Sequence, residues 1–301
     1  MSKVFIVGSL NMDIVSYVAR MPKPGETMAG EGFFTNCGGK GLNQAAAAAK
    51  LGARTYMIGA AGDDTYGAEL KDTLNGYGAD TGFVTTCEGS SGVAVIVVCK
   101  GQNSIILSGG ANMKLRADYV AGTLRKNAKA GDILLTQLEV PLDAAEAALR
   151  TARELGMTTI LNPAPAVKGA EHLCRYADII TPNETETEIL TGVNPEDEVG
   201  ITFAVKRFYG MGVKNVVITL GPKGVAAATG QIITPIPAVD VKVVDTTAAG
   251  DTFVGALAAE LSRGASLLDA CGFGVRAAAL TCTKKGAAVS IPLLDEVKYK
   301  I

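Results

Sequence analysis

The chain's 301 residues suffice for one large core, or for one core with a smaller appendage. Hydrophobic residues make up 48% of it and aromatic ones only 5%, the composition of an α/β protein with an Ala, Val, Ile and Leu core. With 28 basic and 30 acidic residues the net charge is −2, and the lack of any basic block excludes electrostatically driven binding to nucleic acid or a membrane surface.

Apolar runs at 4–8, 55–59, 133–136, 158–161, 179–181 and 215–220 read as buried parallel strands, since a strand covered on both faces is apolar throughout. Helical patterns fall between and after them, at 43–51, 66–77, 117–129, 143–155, 198–211, 251–263 and 267–283. Gly52, Gly78, Gly156, Gly212 and Gly264 stand where glycines end helices. This order predicts an α/β fold over 1–301, a doubly wound, mainly parallel sheet with helices on both faces.

Two stretches break the alternation. Residues 14–37 are strand-like about a Pro22-Lys23-Pro24-Gly25 turn, and 93–108 read as a hairpin about Lys100-Gly101-Gln102-Asn103. They predict a small separate β-sheet over the main domain, or else an antiparallel extension of the main sheet's edge. No apolar run is long enough for a membrane span, and no signal-peptide pattern precedes the first strand. Cys37, Cys87, Cys99, Cys174, Cys271 and Cys282 are scattered without a Cys-x-x-Cys pair, so a cytoplasmic protein with reduced, mostly buried thiols is expected. His172 is the single histidine, which argues against Ser-His-Asp chemistry and multi-histidine metal sites; a surface position is expected for it.

Candidate chemistry recurs at strand ends. After the first strand comes Gly8-Ser9-Leu10-Asn11-Met12-Asp13. If extended, it turns Asn11 and Asp13 to one side, where an amide and a carboxylate suit neighbouring hydroxyls, though an ordinary turn has the same composition. Gly38-Gly39-Lys40-Gly41-Leu42-Asn43 permits close backbone approach beside a positive charge, yet no Gly-Lys-Ser or Gly-Lys-Thr marks a Walker-type loop. Glu139 ends a strand at the edge where open sheets bind ligands, and Asn162-Pro163-Ala164-Pro165 shapes the same rim. Asn183 and Glu186, at i and i+3, face one site together or form a helix cap. Thr219-Leu220-Gly221-Pro222-Lys223-Gly224 is a ligand loop or a plain hairpin turn. In Asp245-Thr246-Thr247-Ala248-Ala249-Gly250-Asp251 small residues lead into a helix, whose first N–H groups lack intrahelical partners and suit an anion. Asp251 would repel a phosphate unless a hydroxyl stood between them, ready to lose a proton; that is phosphoryl transfer to an alcohol, with a simple helix cap as the competing role.

The Asp245–Asp251 string and the Gly-Gly-Lys-Gly-x-Asn-Gln-Ala run resemble the two signatures of the ribokinase-like (PfkB-type) sugar kinases, and the likeness extends from Gly8 to Ser290. The resemblance implies an ATP-dependent kinase acting on ribose, with 2-deoxyribose, fructose or another pentose or hexose as the alternatives and a non-catalytic sugar-binding regulator behind them. It implies Asp251 as base, an anion hole at Ala248, Ala249, Gly250 and Asp251, and sugar contacts at Asn11, Asp13, Gly39, Lys40, Asn43 and Glu139. It places the nucleotide against Asn183, Glu186, Thr219, Gly221, Gly224, Ala249 and Gly250, with Mg²⁺ reached by Glu186 through water. A monovalent cation, K⁺ expected, would lie at Asp245, Thr247, Thr281, Lys284, Gly286 and Ser290. The 14–37 and 93–108 segments would form a β lid and the contact of a homodimer. A nicotinamide-dependent dehydrogenase shares the α/β order but needs a Gly-x-Gly-x-x-Gly turn, absent after the first strand.

Overall fold

The computed structural model describes residues 1–100 and 102–299; the Gly101 position of the expected 93–108 turn lies outside them. Thirteen strands and nine α-helices, numbered in chain order, are found among the described residues. The main sheet contains β1 (Lys3–Val7), β4 (Arg54–Gly62), β5 (Asp80–Cys87), β8 (Ile133–Thr136), β9 (Thr158–Leu161), β10 (Ile179–Ile180), β11 (Asn215–Thr219), β12 (Val225–Thr229) and β13 (Ile232–Ile236). Its order is β13-β12-β11-β10-β9-β8-β1-β4-β5. All pairs from β11 to β5 are parallel, and β12 and β13 continue the sheet antiparallel.

Side chains alternate between two cores. Val4 and Ile6 of β1 face one and Phe5 and Val7 the other, and Ile133 and Leu135 lie opposite Leu134. Helices α1 (Lys40–Lys50), α2 (Thr65–Gly76), α7 (Ala249–Ser262), α8 (Leu267–Cys282) and α9 (Leu294–Tyr299) cover the first face. The second is covered by α3 (Ala117–Asn127), α4 (Leu142–Glu154), α5 (Glu184–Thr191) and α6 (Glu198–Gly210). Sequence order reverses at β1, which lies between β8 and β4, and at such a switch point the loops beyond the carboxyl ends part to leave a crevice.

The expected separate small sheet is present. It is formed by β2 (Asn11–Val18), β3 (Gly32–Gly38), β6 (Gly92–Cys99) and β7 (Gln102–Ser108), in the order β3-β2-β6-β7. Its outer pairs are antiparallel and the central β2–β6 pair is parallel. Phe33 and Ile106 stay 68% and 67% exposed on it. Three main-sheet strands carry too little periodic signal to read in sequence. β5 is an edge strand with Gly82, β12 is largely alanine, and β13 holds Pro235, which an edge position tolerates.

One contact sets the geometry of the site. A Cβ on Gly255 of α7 would stand 2.5 Å from the Ala47 Cβ and 2.6 Å from the Gln44 carbonyl of α1. Glycine there, against fully buried Ala45–Ala48, lets the two helices touch along their backbones. Their N-termini therefore open side by side at the crevice.

Candidate active site

The chain that leaves β1 and β8 supplies polar residues to the crevice. Asn11 and Asp13 are both in β2, so the extended backbone turns them to one side. Glu139, after β8, has Oε2 held by three donors, the Ser9 hydroxyl at 2.5 Å, the Lys40 amide at 3.1 Å and Asn11 Nδ2 at 3.4 Å. Asn112 Nδ2 donates to Asn11 Oδ1 at 2.7 Å, while Asn112 Oδ1 accepts from the Leu10 amide at 2.9 Å. The Asn11 amide group is thereby turned toward Glu139. Neither Ser9 nor Asn112 carried a sequence signal, since their partners lie more than 100 residues away.

Among the described residues no protein donor reaches the Asp13 carboxylate. Burial, then Glu139, then Asp251 push its pKa up to about 7. A carboxylate left without a donor beside two others is free to accept from ligand hydroxyls. Burial alone would favour a neutral Lys40, but Asp251, Glu139 and Glu186 together hold its ammonium above the ordinary value.

Asp251 lies in the first turn of α7 and is 9% exposed. Its Oδ2 accepts from Asn43 Nδ2 and its Oδ1 from Gln44 Nε2, each at 3.0 Å. Burial raises its pKa, opposed by Lys40, Asn43 and Gln44. The residue before the helix, Ala248, has φ 61, a left-handed turn that points successive N–H groups into the crevice. The Ala249 amide donates to the Thr246 carbonyl at 3.2 Å. Those of Ala248, Gly250 and Asp251 find no acceptor among the described residues. A Cβ built on Gly250 would meet nothing within 4 Å, so protein packing gives no reason for glycine there; open space over bare amides does.

These amides form one wall of a cleft of about 160 Å³, shared with Lys40, Asn183, Glu186 and Thr219. The two alternatives for Asn183 and Glu186 both hold. Asn183 Oδ1 accepts from the Glu186 amide at 2.8 Å and Glu186 Oε2 from the Asn183 amide at 2.9 Å, a capping box at the start of α5 that also lines the cleft. Glu186 Oε1 has no protein donor among the described residues, and burial raises the pKa of the group. One free carboxylate oxygen facing the phosphate-sized space fits Mg²⁺ held mainly by phosphates and water. Gly221 and Gly224 lie in the turn between β11 and β12, outside the cleft lining. A Cβ on Gly224 would be 2.1 Å from the Ile236 carbonyl, so the hairpin itself requires that glycine.

Asp245 clasps two loops. Its Oδ1 accepts from the amide and hydroxyl of Thr247 at 2.9 and 2.7 Å, and its Oδ2 from the Gly286 amide at 3.0 Å. Those bonds outweigh burial and lower its pKa. The carbonyls of Asp245, Thr247, Lys284 and Gly286 accept nothing from the described residues, whereas that of Thr281 takes the Lys284 amide at 3.2 Å. Unused carbonyls on two clasped loops fit a monovalent cation. Ser290 is buried and its hydroxyl donates to the Ala287 carbonyl. Elsewhere, His172 is partly exposed beside Glu146, as expected of a surface residue, and all six cysteines are free. No helix among the described residues is long and apolar enough to cross a membrane.

The pfkB family carbohydrate kinase model matches residues 1–294. The ribokinase of Haemophilus influenzae is 42% identical over 97% of this chain and 95% of its own. That of Staphylococcus aureus is 41% identical over 98% of both chains. The solved structure of Arabidopsis thaliana ribokinase complexed with ribose and ATP superposes with a TM-score of 0.87 at 36% identity, covering 99% of this chain and 98% of that one. This chain belongs to the pfkB family of carbohydrate kinases and is a phosphotransferase with an alcohol group as acceptor.

Proposed function

We propose that this pfkB-family kinase transfers the γ-phosphoryl group of ATP to the primary hydroxyl of D-ribose, giving ribose 5-phosphate and ADP. The observation that carries this is Asp251, a carboxylate braced by two amides in the same helical turn as bare main-chain N–H groups. Asp251 takes the hydroxyl proton as the oxygen attacks the γ-phosphorus in line. The amides of Ala248, Gly250 and Asp251 receive the charge that develops on the transferred group, and the Ala249 amide joins them only by leaving Thr246.

Asn11, Asp13, Lys40, Asn43 and Glu139 hold the remaining hydroxyls, with Gly39 shaping the turn beneath them. Asp13 and the second oxygen of Glu139 act as acceptors, while Asn43 and Lys40 donate. Such a polar lining suits a bare polyol. On the other side Asn183, Glu186, Thr219 and the Gly221–Gly224 turn border the nucleotide. Mg²⁺, held through water by Glu186, would supply positive charge to offset that of the phosphates. K⁺ on the carbonyls of the Asp245 and Gly286 loops would brace the turn that carries the anion hole. The small sheet serves as a lid that excludes water, and its exposed Phe33, Ile105 and Ile106 fit the contact of a homodimer. The thiol chemistry agrees with a cytoplasmic enzyme.

The test is ADP formation at fixed Mg·ATP with ribose, 2-deoxyribose, fructose and no sugar, ranked by kcat/KM. Ribose is expected to lead. A higher ratio for another sugar reassigns the substrate, and ADP release at the no-sugar rate throughout leaves a sugar-binding protein without turnover.

A further inference from the structure

Of the amide cluster behind Asp251, only the bond from Gln44 has entered the chemistry described so far. Gln44 and Gln137 are fully buried and Asn162 nearly so. The Thr181 carbonyl only accepts, so the Asn162 atom bonded to it at 2.8 Å is the amide nitrogen, and the Asn162 oxygen faces Gln44. The Gln44 NH₂ group is therefore fixed between two acceptors, Asn162 Oδ1 and Asp251 Oδ1, each at 3.0 Å, and both its protons are used. Its oxygen accepts from Gln137 Nε2 at 2.5 Å. A flipped Gln44 would set its oxygen against the oxygens of Asn162 and Asp251, so these two acceptors fix its orientation.

The geometry points to Gln44 as a positioning residue. Anchored through Asn162 on the carbonyl at the end of β10, it locks the plane of the Asp251 carboxylate, so the base meets the sugar hydroxyl already oriented. This rests on Asp251 being the base and adds a residue that touches neither sugar nor nucleotide in that scheme. Charged groups face Asp251 from several elements: Lys40 on α1, Glu139 after β8, Glu186 on α5 and Asp13 on β2. Gln44 is one of the two amides opposing the effect of burial on Asp251. Its loss removes a hydrogen bond to the ionised form and leaves the carboxylate held by Asn43 alone.

The test uses Gln44→Met, which keeps side-chain length but has no donor. At saturating sugar and Mg·ATP the acid limb of kcat is expected to move up by about 1–2 pH units, the effect of one hydrogen bond to a charged group. At pH 7 kcat should fall by about tenfold or more, with the sugar KM within about twofold of wild type. Asn162→Ala spares the Gln44–Asp251 bond but frees the amide to turn. It should shift the limb in the same direction by less, and it decides the matter where Gln44→Met does not fold. A kcat loss equal at every pH, or a loss carried by the sugar KM, overturns the inference. Asp251→Asn is measured beside them. Wild-type turnover in that variant removes Asp251 as the base. An inactive Asp251→Asn with an unshifted limb in Gln44→Met removes only the role of Gln44.

Discussion

Two helix starts meet at the crevice, those of α1 and α7, and neither has a side-chain N-cap. At α1 the protein uses every early amide itself. Lys40 N donates to Glu139, Gly41 N to the Ser9 hydroxyl, Leu42 N to the Ser9 carbonyl and Asn43 N to the Gly39 carbonyl. At α7 three amides of the turn are left over. The glycines differ in the same way. Gly39 has φ 89, and a Cβ on Gly41 would stand 2.5–2.6 Å from main-chain atoms of Gly8 and Ser9, whereas Gly250 has open space. One glycine turn is required by the fold, and the other is left clear of protein atoms, as the proposed anion hole requires. In sequence both look like sites of close backbone approach, and only the tally of satisfied amides separates them.

The sharpest way to break this contrast is Asp251→Asn, which keeps the α7 turn but loses the proposed base. We expect kcat to fall by roughly 10²–10⁴-fold, with KM values for sugar and ATP little changed in steady-state assays. Gly41→Ala should instead act on the fold, costing about 3 kcal/mol in denaturant unfolding because the atoms it meets are backbone and cannot turn away.

Asp13 tests the electrostatics beside the α1 turn. Its pKa rises from 3.8 to about 7 on folding, so its stabilising contribution is complete below pH 3.8 and is lost as pH rises through 7. Asn does not titrate. The stability of Asp13→Asn relative to wild type should therefore grow by about 3 kcal/mol between pH 5 and pH 8, read from paired urea melts, while the sugar KM rises. No growth would place Asp13 in a wetter setting than the structure gives.

Gly250→Ala sharpens the contrast with Gly41→Ala. Stability should stay within about 0.5 kcal/mol or rise, as alanine favours a helix, yet kcat/KM for ATP should drop about 10- to 100-fold through displaced phosphate. Equal loss of stability in the two variants would erase the distinction. The smallest effect is expected for Ala248→Gly. Relief of the left-handed strain, about 1 kcal/mol, is offset by greater freedom of the unfolded chain, leaving a net change below about 1 kcal/mol by calorimetry.

Much of this protein is legible from local pattern. The apolar runs that became β1, β8 and β9 fall within a residue of their expected bounds, because a strand buried on both faces writes its burial into consecutive residues. The family signatures at Gly38–Asn43 and Asp245–Asp251 are likewise short and contiguous. Hidden from the sequence were the Asn112 grip on Asn11, the Ser9 grip on Glu139, the amide cluster at Gln44 and the parallel β2–β6 pairing inside the small sheet. Each joins atoms distant in the chain, and hydrophobic period carries no record of such partners. Which helix start keeps unpaired amides was decided in the same way, by the tertiary structure, since an amide is free only after every possible acceptor around it has been placed.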